Sequence, residues 1–288
     1  MSTVADTIKE ATKKHLAGGG LLFAQCVSAV GWIGGTVPDV EGVTELSMAD
    51  VAGSGIAVGA ALSGRRPIYV IRYQGFMWYN AASLLNYAAK SKEMWGVPCP
   101  IFVRAITNEV GGPVAGGAHH GMVMRMPGIK VFAPMTPNEW TEAWEWFLSH
   151  DEPVYCSEHR SSFANDYETP NLTRVESKVT LFAISGARIN AMEAFMKVEC
   201  DLFHVTELKP FEVTPAMIHS LKYSRRGLVV DCDYDLAAKG IAHELMMKSG
   251  VPVDVLALED RTAGFSPDTT NDGPSVEAII KKLSINPG

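Results

Sequence analysis

Asp50-Val51-Ala52-Gly53-Ser54-Gly55-Ile56-Ala57-Val58-Gly59-Ala60-Ala61-Leu62, followed after Arg65 and Arg66 by Ile68-Tyr69-Val70-Ile71-Arg72-Tyr73, decides how this chain is read. The first segment is small and aliphatic on every side, which predicts a helix over 51–63 buried against another helix or another subunit. Its glycines and alanines let a neighbouring backbone come close. The second segment is a short apolar run bounded by polar residues, and predicts a buried strand over 68–73. One ionisable side chain, Asp50, stands at the mouth of the helix. A carboxylate there is costly unless something polar meets it, so a ligand is expected at that point.

The same alternation extends in both directions. Buried strands are expected at 21–25, 100–105, 129–133 and 154–157, with helices at 80–92 and 137–150. The second of these helices has a legible start: Thr136 as cap, Pro137 in the first turn and Glu139 completing a capping box. Strand and helix in alternation imply a mostly parallel sheet covered on both faces. From Glu158 to Lys178 the chain turns polar and aperiodic, with Asn165, Asp166 and Pro170, and reads as a linker. Strands at 179–184, 200–205, 227–230 and 253–258 follow, with helices at 188–197, 236–248 and 275–282. The expected organisation is therefore α/β in two domains, 1–158 and a smaller 178–288, joined by a linker over 159–177.

Bulk properties narrow the function. The chain has 288 residues, 47% apolar and 20% charged, enough for two cores. A formal charge of −7 argues against a nucleic-acid binder, which would show a basic face. No apolar run reaches the length of a membrane span, and residues 1–14 lack a signal-peptide core, so a cytoplasmic location is expected. Five cysteines (Cys26, Cys99, Cys156, Cys200 and Cys232) show no paired spacing and are expected to be reduced and mostly buried in strands.

Several familiar motifs are missing. The glycines of Gly53-Ser54-Gly55 and Gly59 lie inside the helix rather than in a preceding turn, so they read as close packing and not as a dinucleotide fingerprint. The sequence holds no Gly-Lys-Ser/Thr phosphate loop, no Cys/His metal spacing and no Gly-x-Ser-x-Gly elbow. Two features stay open on residues alone. His119-His120 ends a glycine-rich stretch from Gly111 to Ala118, and reads equally as a surface loop with a capping histidine or as part of a site. Phe76, Trp78 and Tyr79 are either core packing or a platform for a flat heterocycle.

Taken together, Gly55-Ile56-Ala57-Val58-Gly59-Ala60-Ala61-Leu62, Arg66-Pro67-Ile68, Ala88-Ala89-Lys90, Gly117-Ala118-His119-His120, Met126-Pro127-Gly128-Ile129-Lys130-Val131, Pro134 to Thr136 and Asp151-Glu152-Pro153-Val154 resemble a known family. In order and spacing the chain resembles the beta subunit of the thiamine-diphosphate-dependent decarboxylase component of 2-oxo acid dehydrogenases, in the transketolase superfamily. The resemblance implies a parallel-sheet domain that binds the thiamine pyrimidine, followed by a smaller transketolase C-terminal-like α/β domain. It also implies half an active site. Such chains hold the aminopyrimidine, while an alpha-like partner holds the diphosphate and its Mg2+ through a Gly-Asp-Gly…Asn motif, which this chain lacks. The implied assembly is a heterotetramer of two alpha-like and two beta-like chains.

Carried over by position, Asp50 takes the place of the family's glutamate, which hydrogen-bonds a pyrimidine ring nitrogen. Phe76 matches the aromatic residue packed on the pyrimidine, Met48 an aliphatic contact to the ring, and Tyr79 falls nearby. His120, or its neighbour His119, matches a loop histidine that faces the substrate. Aspartate retreats by roughly 1 Å relative to glutamate, and misplacement on that scale can cost about a hundredfold in rate. The acidic strand-end motif of the family reads here Ala24-Gln25-Cys26-Val27. The implied reaction is cleavage beside the carbonyl of a 2-oxo acid or ketose, with acyl or ketol transfer. The alternatives are the C-terminal half of a split transketolase, for which Arg104, Arg125 and Arg160 are the candidate sugar-phosphate cations, and a non-catalytic scaffold.

Overall fold

In the computed structural model, residues 2–107, 117–174, 176–260 and 272–284 are described. The chain opens with α1 (Val4–Ala17), started by a Thr3–Asp6 capping box, and enters β1 (Leu21–Gln25). A single turn, α2 (Gly31–Gly34), has left-handed dihedrals even at Trp32 and Ile33 and leads to β2 (Val43–Leu46). Then come α3 (Asp50–Leu62), β3 (Pro67–Ile71), and α4 (Met77–Ser83) and α5 (Ala89–Trp95), joined by a π-helical turn at Leu84–Ala88. The first half closes with β4 (Phe102–Thr107), α5's neighbour in sequence, and with α6 (His120–Met124), β5 (Lys130–Phe132), α7 (Pro137–Ser149) and β6 (Val154–His159).

The second half comprises β7 (Val179–Ile184), α8 (Ala187–Phe195), β8 (Cys200–Val205), β9 (Glu207–Lys209) and α9 (Pro215–Ser224). It ends with β10 (Gly227–Tyr234), α10 (Asp235–Ser249), β11 (Val253–Leu258) and α11 (Val276–Ser284). The strands form a seven-stranded sheet in the order β2-β1-β3-β4-β6-β5-β9 and a four-stranded sheet in the order β11-β10-β7-β8. Every pairing is parallel except β5 with β9. The α/β alternation read from the sequence is the fold.

The two sheets are not independent. β9, which follows the second sheet's edge strand, returns to pair with β5 of the first. Leu172 and Leu202 exchange backbone hydrogen bonds of 2.8 and 2.7 Å, so the stretch between the halves lies along β8. One continuous apolar core runs from Phe23, Ala57 and Tyr69 in the first half to Phe182, Phe203 and Leu245 in the second. A second core packs α1 and α7 on the opposite face of the first sheet, around Phe102, Trp140 and Phe147. Burying that much apolar surface at the junction fixes the halves against each other.

Strand order positions the site. From β1 the chain crosses one way to β2, then returns through α3 to β3 on the other side of β1. In an open α/β sheet the crevice beyond the carboxyl ends of the strands at such a reversal is where ligands bind. Here that crevice lies past Gln25 and Ile71, and α3 begins there.

The helix expected over 51–63 starts one residue earlier, with Asp50 in its first turn. Its inner side (Gly53, Ser54, Ala57, Val58 and Ala61) is buried within the chain, while Val51 and Ile56 are 60% and 49% exposed. The apolar outer side has no partner among the described residues. Likewise, among the described residues no helix is long and apolar enough to cross a membrane. The five cysteines are free thiols, four of them buried. Burial pushes those of Cys99, Cys200 and Cys232 up to about 12, so they stay protonated at neutral pH.

Candidate functional site

Three of the residues singled out from the sequence meet around one cavity. Asp50, Met48 and Phe76, with Gln25 and Cys26 from the end of β1 and Val70, Ile71 and Arg72 from the end of β3, line a space of about 80 Å3. It sits at the reversal point between β1 and β3. Cys26 has a left-handed φ of 51°, which turns the chain sharply at the end of β1. Asp50 is half-buried, and an acid in the first turn is favoured by the helix dipole. Its Oδ1 accepts a 3.1 Å hydrogen bond from Asn80 Nδ2. The Nε2 of Gln25 is buried and makes no hydrogen bond of good geometry among the described residues, but it lies close enough to the Tyr69 hydroxyl to act on it. Tyr79 stands beside this group rather than in it: its ring lies 6.4 Å from that of Phe76 and is exposed.

The two histidines part company at the start of α6. His119 is half-buried, its ring 6.3 Å from Trp78 and 6.2 Å from Tyr234. Gln74 fixes its backbone, accepting from the His119 N–H at 2.7 Å while its own amide donates to Ala105 O and Ser157 Oγ. Burial pulls the His119 imidazole down to about 4, with the charge of His120 adding to the effect. It is therefore neutral at physiological pH, with one donor and one acceptor.

His120, expected at the substrate as one of the pair, is instead fully enclosed between the halves. Its Nε2 lies 2.9 Å from Asp231 Oδ2 and 3.7 Å from Asp233 Oδ2, and its Nδ1 lies 3.2 Å from Ser157 Oγ. Burial alone would lower this imidazole, but the two aspartates outweigh it and hold it up at about 9. Ser157, His120 and Asp231 thus stand in a row that looks like a nucleophilic triad. Two observations argue against that chemistry: all three are fully buried, and the paired aspartates favour an imidazole protonated on both nitrogens, which has no lone pair to take the serine's proton. Asp233, held up at about 7 mainly by burial, accepts from the Gly121 N–H at 2.7 Å and ties α6 to β10.

Arg104, a candidate for a sugar phosphate, is not at any entrance. It is fully buried, with Nε and Nη2 each 2.8 Å from the Glu158 carboxylate and Trp140 Nε1 donating to the same group. Arg125 is exposed, and the Arg160 guanidinium lies 5.7 Å over the ring of Tyr73. Of the glycine-rich stretch before His119, residues 108–116 lie outside the described residues. Among those described, no cluster of His, Cys, Asp and Glu is arranged to hold a metal ion. Asn80, Gln74, Asp231 and Asp233 took no part in the sequence reading of the candidate site, and Gln25 entered it only within the strand-end stretch Ala24-Gln25-Cys26-Val27.

The part of the chain that holds Met48, Asp50 and Phe76 matches known proteins. Residues 36–165 match the family model of the transketolase pyrimidine binding domain. The chain is 27% identical over 192 residues to the 2-oxoisovalerate dehydrogenase subunit beta of Bacillus subtilis, covering 59% of this chain and 57% of that protein. It is 26% identical over 236 residues to the pyruvate dehydrogenase E1 component subunit beta of Rickettsia conorii, covering 72% and 71%. The acetoin:2,6-dichlorophenolindophenol oxidoreductase subunit beta of Cupriavidus necator is 26% identical over 200 residues, covering 62% and 58%. The matched region thus spans little more than half the length of the first and third of these relatives. Among solved structures, a split-gene transketolase described as an inactive beta4 tetramer superimposes with a TM-score of 0.73 at 14% identity, covering 98% of this chain and 97% of that one. Transketolase from Campylobacter jejuni gives 0.72 at 17% identity, covering 98% of this chain and 46% of that one. Residues 36–165 thus match the transketolase pyrimidine binding domain, and the whole chain has a transketolase-like fold and resembles the beta subunits of 2-oxo acid dehydrogenases.

Proposed function

We propose that this chain is the pyrimidine-binding half of a two-chain enzyme that uses thiamine diphosphate on a 2-oxo acid or ketose. An alpha-like partner then supplies the half that holds the diphosphate and Mg2+. The observation that carries the reading is the Asp50 carboxylate, with one oxygen committed to Asn80 and the other without a partner among the described residues, on a cavity it shares with Phe76 and Met48. A flat aminopyrimidine needs an acid for a ring nitrogen, an aromatic ring to pack against and an apolar edge, and these residues supply all three. Gln25, which lines the same cavity, adds a polar side chain within it.

Thiamine diphosphate, when bound, would supply a nucleophilic carbon and an electron sink for cleavage beside a carbonyl. Within this chain, Asp50 would meet a ring nitrogen of the pyrimidine through Oδ2. Phe76 and Met48 orient the ring, and Tyr79 extends the aromatic surface beyond Phe76. His119 serves the substrate as a neutral hydrogen-bonding group, and His120 supports it from inside. The exposed apolar side of α3, with Met48 and Trp78 at 75% and 62% exposure, is the surface that the partner and a second copy of the chain cover in a heterotetramer.

A second reading, the C-terminal half of a split transketolase, is favoured by the fold match to a split-gene transketolase over nearly its full length. It is weakened by the burial of Arg104 on Glu158, which removes one of three candidate cations. Mixing the chain with the alpha-like protein that carries Gly-Asp-Gly…Asn and titrating thiamine diphosphate with Mg2+ by calorimetry tests the common core of both readings. Saturable binding is expected in the mixture and in neither chain alone. An inert mixture overturns the proposal in favour of a scaffold. Turnover of 2-oxo acids against sugar phosphates then separates the first reading from the second.

A further inference from the structure

We infer that Asn80 is the positioning residue for Asp50, the middle member of a Tyr69–Asn80–Asp50 relay that holds the carboxylate and leaves Oδ2 to carry its exchangeable proton. The link to thiamine chemistry rests on the function proposed above; the relay itself does not. Asn80 is fully buried on α4. Its Nδ2 donates to Asp50 Oδ1 at 3.1 Å and to Phe76 O at 2.9 Å, and its Oδ1 accepts from the Tyr69 hydroxyl at 2.7 Å.

These contacts fix which way the amide points. Turned over, its oxygen would face two acceptors, the Phe76 carbonyl and the carboxylate, so the nitrogen must face Asp50. Both amide hydrogens are then committed. An oxygen that already accepts a hydrogen bond is the less basic of the two, so Oδ1 is the poorer place for a proton. The proton therefore resides on Oδ2, for which no hydrogen bond is found among the described residues.

Tyr69 completes the arrangement from the centre of β3. Burial, with the charge of Asp50 adding to it, pushes its hydroxyl well above the ordinary range, so it remains a neutral donor. By donating to Asn80 Oδ1 it polarises the amide and strengthens the bond to Asp50. Gly53, in the first turn of α3, leaves room for this hydroxyl: a Cβ there would lie 3.1 Å from it. Nothing local asks for asparagine at position 80, since it is a poor residue inside a helix. The demand comes from Asp50. A carboxylate on a short side chain has its place set by its backbone and by this one donor.

Two measurements on the full chain test the relay. With 15N-labelled asparagine, the Asn80 side-chain amide is identified by its loss in Asn80→Ala. Its nitrogen shift should follow a carboxyl titration in the unaltered protein and lose that titration in Asp50→Asn. In the complex with the alpha-like partner, deuterium exchange at the thiazolium carbon of bound thiamine diphosphate should fall about tenfold or more in Asn80→Ala and Asn80→Asp, as loss of a bond to a charged group implies. Tyr69→Phe, which keeps the buried ring, should lower exchange by a smaller factor, and none of these changes should abolish cofactor binding. An Asn80 amide indifferent to Asp50 overturns the inference whatever becomes of the cofactor. So does unchanged exchange in both Asn80 variants. If the unaltered complex binds no cofactor, the proposed function fails and takes the catalytic part of this inference with it, while the amide titration still decides whether Asn80 holds Asp50.

Discussion

Replacing Asp231 with asparagine should destabilise the protein strongly at pH 6 and weakly near pH 10. Asp231 lies 2.9 Å from His120 in a fully buried contact that joins β10 of the second sheet to α6. In the folded chain the imidazole is held up at about 9 against the opposing effect of its burial. Its unfolded value is about 6.5. A group whose affinity for a proton rises on folding contributes stability that is complete below the unfolded value and lost as pH climbs through the folded one. The interval from about 6.5 to about 9, at about 1.4 kcal/mol per tenfold change in proton affinity, is worth roughly 3 kcal/mol. Asp231 provides the larger share, being the nearer carboxylate and first among the effects that oppose burial. Urea denaturation of the variant and the unaltered protein at both pH values measures the loss. It should reach roughly 2–3 kcal/mol at pH 6 and shrink towards zero near pH 10. A loss of equal size at both pH values would mean that His120 is neutral in the folded chain, and would refute the argument against a nucleophilic triad.

Further changes follow the same physics. Arg104→Met or Glu158→Gln alone strands a buried charge or its partner and should cost about 3–5 kcal/mol, whereas the double change Arg104→Met/Glu158→Leu should cost less than either, as read from denaturation midpoints. Gly128 has φ at 74°, and a Cβ there would sit 1.7 Å from the Ala89 carbonyl oxygen. Gly128→Ala must therefore move the α6–β5 turn, and should lose at least about 1–3 kcal/mol and lower the melting temperature by several degrees.

Periodicity carried the fold because most elements are buried on a regular face. The strands at 21–25, 179–184, 200–205 and 253–258 coincide with β1, β7, β8 and β11, all drawn from continuous apolar runs. The start of α7 was legible because Thr136 and Glu139 act on each other over three residues. Nothing local could show that Glu139 also takes both Nη atoms of Arg188, at 2.7 and 2.8 Å, from the other half of the chain. β2 and β9 escaped notice for a related reason: they are four and three residues long, partly exposed, and owe their existence to pairing with strands already present.

Half of the candidate cavity was legible. Asp50 declared itself as an acid before an apolar helix, and Phe76 and Met48 came with it through resemblance. The choice between His119 and His120 was not readable, because adjacent residues at a helix start point opposite ways and only the partner decides which is buried. That partner, Asp231, is 111 residues away. Asn80 was hidden likewise, joined to Asp50 across 30 residues.

The most direct test of the proposed function is the rate at which the thiazolium proton of thiamine diphosphate exchanges in a complex of this chain with the proposed alpha-like partner, compared between Asp50 and Asp50→Ala. Fast exchange in the unaltered complex, lowered by at least about a hundredfold in the variant while the cofactor still binds, is the predicted result. Equal exchange in the two complexes would contradict it, and would remove Asp50 from the chemistry.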